Sequence, residues 1–196
     1  MNAITALIIL TGLAVAGPSS GQAHRSPTMA ELVGESDRVV IGSIRDMHAQ
    51  VETVTINSST GRQGKIPFTY FTLVPSEALK GVGGTAPVTM RMIGGSFDGY
   101  AVVTVDQPRL HTGERVLLFI RELAIGTSAP VYQIKGGRVG KFGIRTENGA
   151  DVVYRDRVPN AHLNAAGVPE TGAIPLSVLR SLVATAVGNQ PTESTE

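Results

Sequence analysis

Arg115-Val116-Leu117-Leu118-Phe119-Ile120 is the stretch on which the fold turns. Successive residues of a strand point to opposite faces, so an unbroken apolar run of this length predicts a central strand buried on both sides. Gly113-Glu114 supplies a turn into it. Upstream, Arg38 to Ile44 (RVVIGSI) is equally rich in β-branched residues. That strand is expected to run on through Val51, Val54 and Ile56, with an irregularity at Asp46–Gln50. Asn57 to Gly64 (NSSTGRQG) reads as a polar hairpin tip, and Phe68 to Val74 as its return strand, extending towards Leu79. Val88, Met90 and Met92 alternate with Thr89 and Arg91, the cleanest period-two signal in the chain. Gly94–Gly99 is a turn, and Tyr100 to Val105 a further strand. Downstream, Val131 to Lys135, Lys141 to Arg145 and Asp151 to Tyr154 are shorter strands around Gly136-Gly137 and Glu147-Asn148-Gly149. Asn160 to Gly172 reads as loop.

Helices are expected only at the ends. Ser26-Pro27-Thr28 opens a short one, with Ser26 as cap and Met29, Leu32 and Val33 on one face. Pro175 to Val187 closes the chain as an amphipathic helix with Leu176, Leu179, Leu182, Val183 and Ala186 at helical spacing, stopped by Gly188. Short strands, Gly-rich turns and no alternation of strand with helix define a mainly β domain. A small, partly open barrel resembling the oligonucleotide/oligosaccharide-binding (OB) type is the expected solution, because closure removes exposed sheet edges.

The chain has 196 residues, a net charge of +1, 23 glycines, 11 prolines, and no cysteine or tryptophan. This length suits one domain with a core of its own. Without cysteine there is no disulfide framework, thiolate nucleophile or Cys-bound zinc. Balanced charge and 5% aromatic residues argue against nucleic acid as a partner.

Residues 6–17 (ALIILTGLAVAG) are almost wholly apolar but fall short of the ~20 residues that span a hydrocarbon core. The small-residue stretch after them, ending Gly21-Gln22-Ala23, fits signal-peptidase cleavage after Ala23, although Met1–Thr5 carries no Lys or Arg. The expected organisation is a signal peptide at 1–23, a single domain at 24–188 and a flexible tail at 189–196. Its product would be a protein of the periplasm or the extracellular space, with no transmembrane segment once cleaved.

The segments Glu31-Leu32-Val33, Asp37-Arg38-Val39-Val40-Ile41-Gly42, Thr69-Tyr70-Phe71-Thr72-Leu73, Leu79-Lys80-Gly81, Gly113–Phe119 and Gly140-Lys141-Phe142 resemble a group of uncharacterised exported bacterial proteins. The same pattern, over about Glu31 to Arg145, is similar to the OB-like barrel of netrin domains and tissue inhibitors of metalloproteinases. That resemblance implies a fold and not an activity. The inhibitors chelate the protease zinc through an N-terminal cysteine, which this chain lacks.

No catalytic constellation is evident. Gly81-Val82-Gly83-Gly84-Thr85-Ala86 matches a dinucleotide fingerprint in letters only, since Pro87 and an alternating strand follow where a helix is required. Ser96 lacks the glycine of a nucleophile elbow, Asp98 standing in its place. Asp98 and Asp106 are too sparse for a calcium loop. The histidines, His24, His48, His111 and His162, form no close pair. Cleavage after Ala23 would nevertheless give His24 a free amine beside its imidazole, a donor set suited to copper(II). A terminal histidine is more often simply solvated. Arg138, Lys141 and Arg145 are candidates for a modest basic patch facing an anionic polysaccharide or a partner protein. Tyr70, Tyr100 and Tyr132 are candidate sugar-stacking platforms, a role that competes with ordinary packing in a β core.

The resulting expectation is an exported, non-catalytic binding or assembly module, not an enzyme, with no cofactor and a protein or polysaccharide partner. Two alternatives stand beside it: an inhibitor or accessory partner of an exported protease, and a copper protein built on His24.

Overall fold

The computed structural model describes residues 27–57, 59–81, 84–97, 100–104, 106–125, 129–155 and 173–190. The expected signal peptide, His24, Ser26, the segment 156–172 and the last residues of the tail lie outside the described residues. In chain order the elements are α1 (Met29–Gly34), β1 (Arg38–Asn57), β2 (Arg62–Lys80), β3 (Val88–Ile93), β4 (Gly95–Phe97), β5 (Tyr100–Val102), β6 (Arg115–Leu123) and β7 (Val131–Ile134). A 3-10 turn (Gly137–Gly140), β8 (Lys141–Glu147), β9 (Ala150–Tyr154), β10 (Ile174–Pro175) and α2 (Leu176–Gly188) follow. No helix among the described residues is long and apolar enough to cross a membrane.

The fold is the expected mainly β, OB-like barrel with a helix near each end. Strands β1, β2, β3, β7 and β6 pair in that order, and β6 returns to β1, closing a ring. Every contact in the ring is antiparallel except β3 with β7, which run parallel through Thr89↔Val131 and Met90↔Tyr132. The ring is partly open: β3 and β7 pair over these two positions alone.

β6 is what its sequence predicts. One edge pairs with β1, from Arg38↔Ile120 to Ser43↔Arg115. The other edge is shared end to end, with β7 taking Ile120–Leu123 and β8 taking Val116–Leu118. Val116, Leu118 and Ile120 point into the barrel among Val40, Ile44, Phe71, Leu73 and Met90. Leu117 and Phe119 point the other way, into a second core with Val39, Ile41, Phe142 and Val153. α1 and α2 cover that second core with Leu32, Val33, Leu176, Leu179 and Val183. Each such side chain taken from water contributes roughly 1.5–3 kcal/mol, so one strand anchors two cores.

Local chemistry fixes the ends. Thr28, rather than the expected Ser26, caps α1: its hydroxyl accepts from the Glu31 N–H, and the Glu31 carboxylate accepts from the Thr28 N–H at 2.6 Å. The T-x-x-E spacing satisfies two helix-end donors at once. At the other end of α1, Lys80 Nζ donates to the carbonyls of Val33 and Ser36 at 2.6 and 2.7 Å. α2 runs through Gly188, one residue beyond its expected stop.

The irregularity in β1 falls where expected. Asp46 has φ +49°, and the register slips between Arg45↔Thr72 and His48↔Tyr70. One extra residue exchanges the faces of everything after it. Met47 therefore packs towards the barrel interior, and His48 stands in the row outside. The strand expected at Tyr100–Val105 is shorter than read. β5 stops at Val102 and pairs back on β4, because Gly94 and Gly95, at φ +101° and +137°, break β3 and fold the chain into a separate hairpin.

Candidate functional site

The strand register assembles a row of polar and aromatic side chains on the outside of the barrel. His48 on β1, Tyr70 on β2 and Arg91 on β3 are direct cross-strand neighbours. Paired residues share a face, and this face is opposite to that of Phe71 and Met90. His48 and Tyr70 stack, their ring centroids 5.8 Å apart and their planes 15° from parallel. The Tyr70 hydroxyl donates to Glu52 Oε1, and Arg91 Nη2 pairs with Glu52 Oε2 at 2.5 Å. The Arg91 guanidinium lies 3.6 Å from the centre of the Phe68 ring. Burial, and then the hydrogen bond to Glu52, raise the pKa of the Tyr70 phenol above its ordinary value, so it remains a donor at neutral pH.

These side chains form one connected row. Arg91 and Glu52 hold one another and Tyr70, while His48 is exposed and Tyr70 half-buried. It offers an aromatic platform beside a fixed carboxylate and guanidinium, which suits a ligand with a flat apolar face and hydroxyl groups.

Beside this face, Phe68, Arg91, Met92, Gln107, Gln133 and Ile134 surround a small cleft of about 260 Å3, where β3 and β7 diverge. A larger groove of about 600 Å3 lies at the rim, between Arg38, Gly84, Pro87 and Thr89 ahead of and in β3, and Pro130 and Tyr132 at the start of β7. Arg38 sits over Tyr132 there, 5.9 Å from the ring centre.

The other candidate residues do not gather. Tyr70 belongs to the outer row, whereas Tyr132 lines the rim groove. Tyr100 lies in β5, and its side chain is outside the described residues. The expected basic patch is not one surface. Lys141 is 2% exposed; its ammonium pairs with Glu114 Oε1 at 2.7 Å and donates to the Arg109 carbonyl at 2.6 Å. The cause is register: Lys141 pairs with Leu118, a barrel-interior position, so its side chain starts on the buried side of β8. Arg138 is half-buried and donates to the Gln107 carbonyl at 3.2 Å. Arg145 is exposed, paired with Glu147 at 2.5 Å and set over Tyr154. Arg155, another cation of the sequence, is half-buried against Phe142, and burial pushes its guanidinium down to about 10.

Met90 and Met92 serve the core, as their alternation predicts. Among the described residues, no group of three His, Asp or Glu side chains is arranged to hold a metal ion. His24 lies outside them. Sequence reading named Tyr70 but missed His48, Glu52 and Phe68 as its companions. Only the Asp46 bulge puts His48 beside Tyr70, and no local pattern reports how far a bulge shifts a register.

Compared with described protein families, curated proteins and solved structures, the chain matches none.

Proposed function

We propose that the chain is a non-catalytic binding module of the periplasm or extracellular space, and that its contact surface is the outer face of β1, β2 and β3. One observation carries this reading: His48 and Tyr70 stacked in register, held by the Glu52–Arg91 pair. A polysaccharide is the ligand that best fits it. Sugar rings lay their C–H faces on aromatic platforms, and their hydroxyls bond to carboxylate and guanidinium groups. A strand-built face held by its own hydrogen bonds is preorganised for such a contact.

Calorimetric titration of the purified protein with a panel of soluble polysaccharides tests the reading. Saturable binding is expected, weakened at least about tenfold by Tyr70→Ala and little by Tyr70→Phe, which keeps the ring. Equal affinity in Tyr70→Ala and wild type would remove the face from consideration, and release of reducing ends would turn the module into an enzyme.

A second reading rests on the sequence resemblance to the netrin and metalloproteinase-inhibitor barrels: partnership with an exported protease. Its chemistry would differ from that of the zinc-chelating inhibitors, because the chain has no cysteine. Co-purification with a protease, undisturbed by Tyr70→Ala, would support it over the polysaccharide.

A further inference from the structure

We propose that the rim groove is a second binding site, for a small organic monoanion: one carboxylate on Arg38 and a flat apolar body against Tyr132, Pro87 and Pro130. The groove holds about 600 Å3, within the size range of small-molecule sites and far larger than an ion requires. Its walls are mostly carbon. Proline has no N–H, so Pro87 and Pro130 present surface without a backbone donor.

Arg38 supplies the positive charge in the groove. Its Nε is buried without an acceptor, and its guanidinium rests over the Tyr132 ring. Arg91, Arg115, Arg138 and Arg180 also have half-buried guanidinium groups, but each has an oxygen partner, in Glu52, Asp151, the Gln107 carbonyl and Glu77 respectively, whereas Arg155, over Phe142, shares with Arg38 buried nitrogens that lack one. A guanidinium N–H removed from water without an acceptor carries an uncompensated desolvation cost. A carboxylate is the group whose two oxygens match its donor fork. The same wall bears Asp37, whose Oδ2 accepts the Glu122 N–H at 2.7 Å. One cation beside one acid favours a singly charged ligand and disfavours phosphate, sulfate or a polyanion.

This site uses none of His48, Glu52, Tyr70 and Arg91 and does not depend on them. The test is an amide-shift NMR titration of the full chain with 2-naphthoate, uncharged 2-naphthamide and inorganic sulfate. Naphthoate is expected to give saturable shifts centred on Arg38, Thr89 and Tyr132, with sulfate inert and naphthamide at least about tenfold weaker. Arg38→Gln should abolish the preference for naphthoate over naphthamide, while Tyr70→Ala leaves it intact. Equal binding of naphthamide and naphthoate to the unaltered protein would overturn the proposal, as would shifts centred elsewhere or an absence of saturation. The two-probe comparison needs no variant, so a folding defect in Arg38→Gln cannot mask the answer.

Discussion

Lys141 carries the charge of a surface residue in the surroundings of a core one. Its ammonium meets Glu114 and the Arg109 carbonyl, both within 2.7 Å. Removing one partner of a buried pair strands the other, which costs about 3–5 kcal/mol. Lys141→Ala is therefore expected to lower unfolding stability by about that much in urea melts. Lys141→Met with Glu114→Gln should recover part of the loss, because the Glu114 carboxylate is no longer left buried without its cation. If Lys141→Ala proves neutral, the ammonium is solvated and the sequence's surface patch returns. At this scale the sequence is least legible. Lys141 looks like any strand lysine, and only its pairing with Leu118 turns it inward. Tyr70 is legible as an aromatic on a strand, but its neighbours depend on a bulge one strand away.

At the scale of elements, the strands and helices follow from alternation, turns and caps. β6 reads directly as a two-sided strand, and α2 as a helix with one apolar face. What escapes is the edge at which each strand ends and the partner it takes, because those depend on contacts distant in sequence. Arg115 and Asp151 illustrate such a link. They join β6 to β9 by two hydrogen bonds, at 2.9 and 2.7 Å, with β8 between the strands. The hydrogen bonds from Arg115, and next from Thr146, hold the Asp151 carboxyl below its ordinary pKa. A carboxylate depressed on folding stabilises the native state above its unfolded pKa, and that contribution disappears as pH falls through the folded value. Thermal melts should therefore lose stability below about pH 4, with a shallower loss in Asp151→Asn than in wild type. Identical acid slopes in the two proteins would mean that the bridge is already open in solution.

The whole molecule is a ring with an annex. β6 forms the shared wall, the barrel interior lies on one side, and the helix-covered core with β8 and β9 lies on the other. The barrel class was legible because strands, turns and terminal helices each have local signatures. The annex was not, since it arises from β7 and β8 sharing one edge of β6. Two close-packed glycines allow that hand-over. A Cβ at Gly137 would stand 2.2 Å from the Asp106 carbonyl oxygen, and one at Gly140 would stand 1.8 Å from that of Lys135. Both proposed sites depend on the closed ring: the outer row needs β1, β2 and β3 in register, and the rim groove needs β7 beside β3. Cross-strand nuclear Overhauser contacts in the folded protein test this directly. Contacts are expected between Met90 and Tyr132 across the parallel pair, and between Val39 and Phe119 across the closure. A β3 whose outer amides exchange as a free edge, with neither contact present, would contradict it.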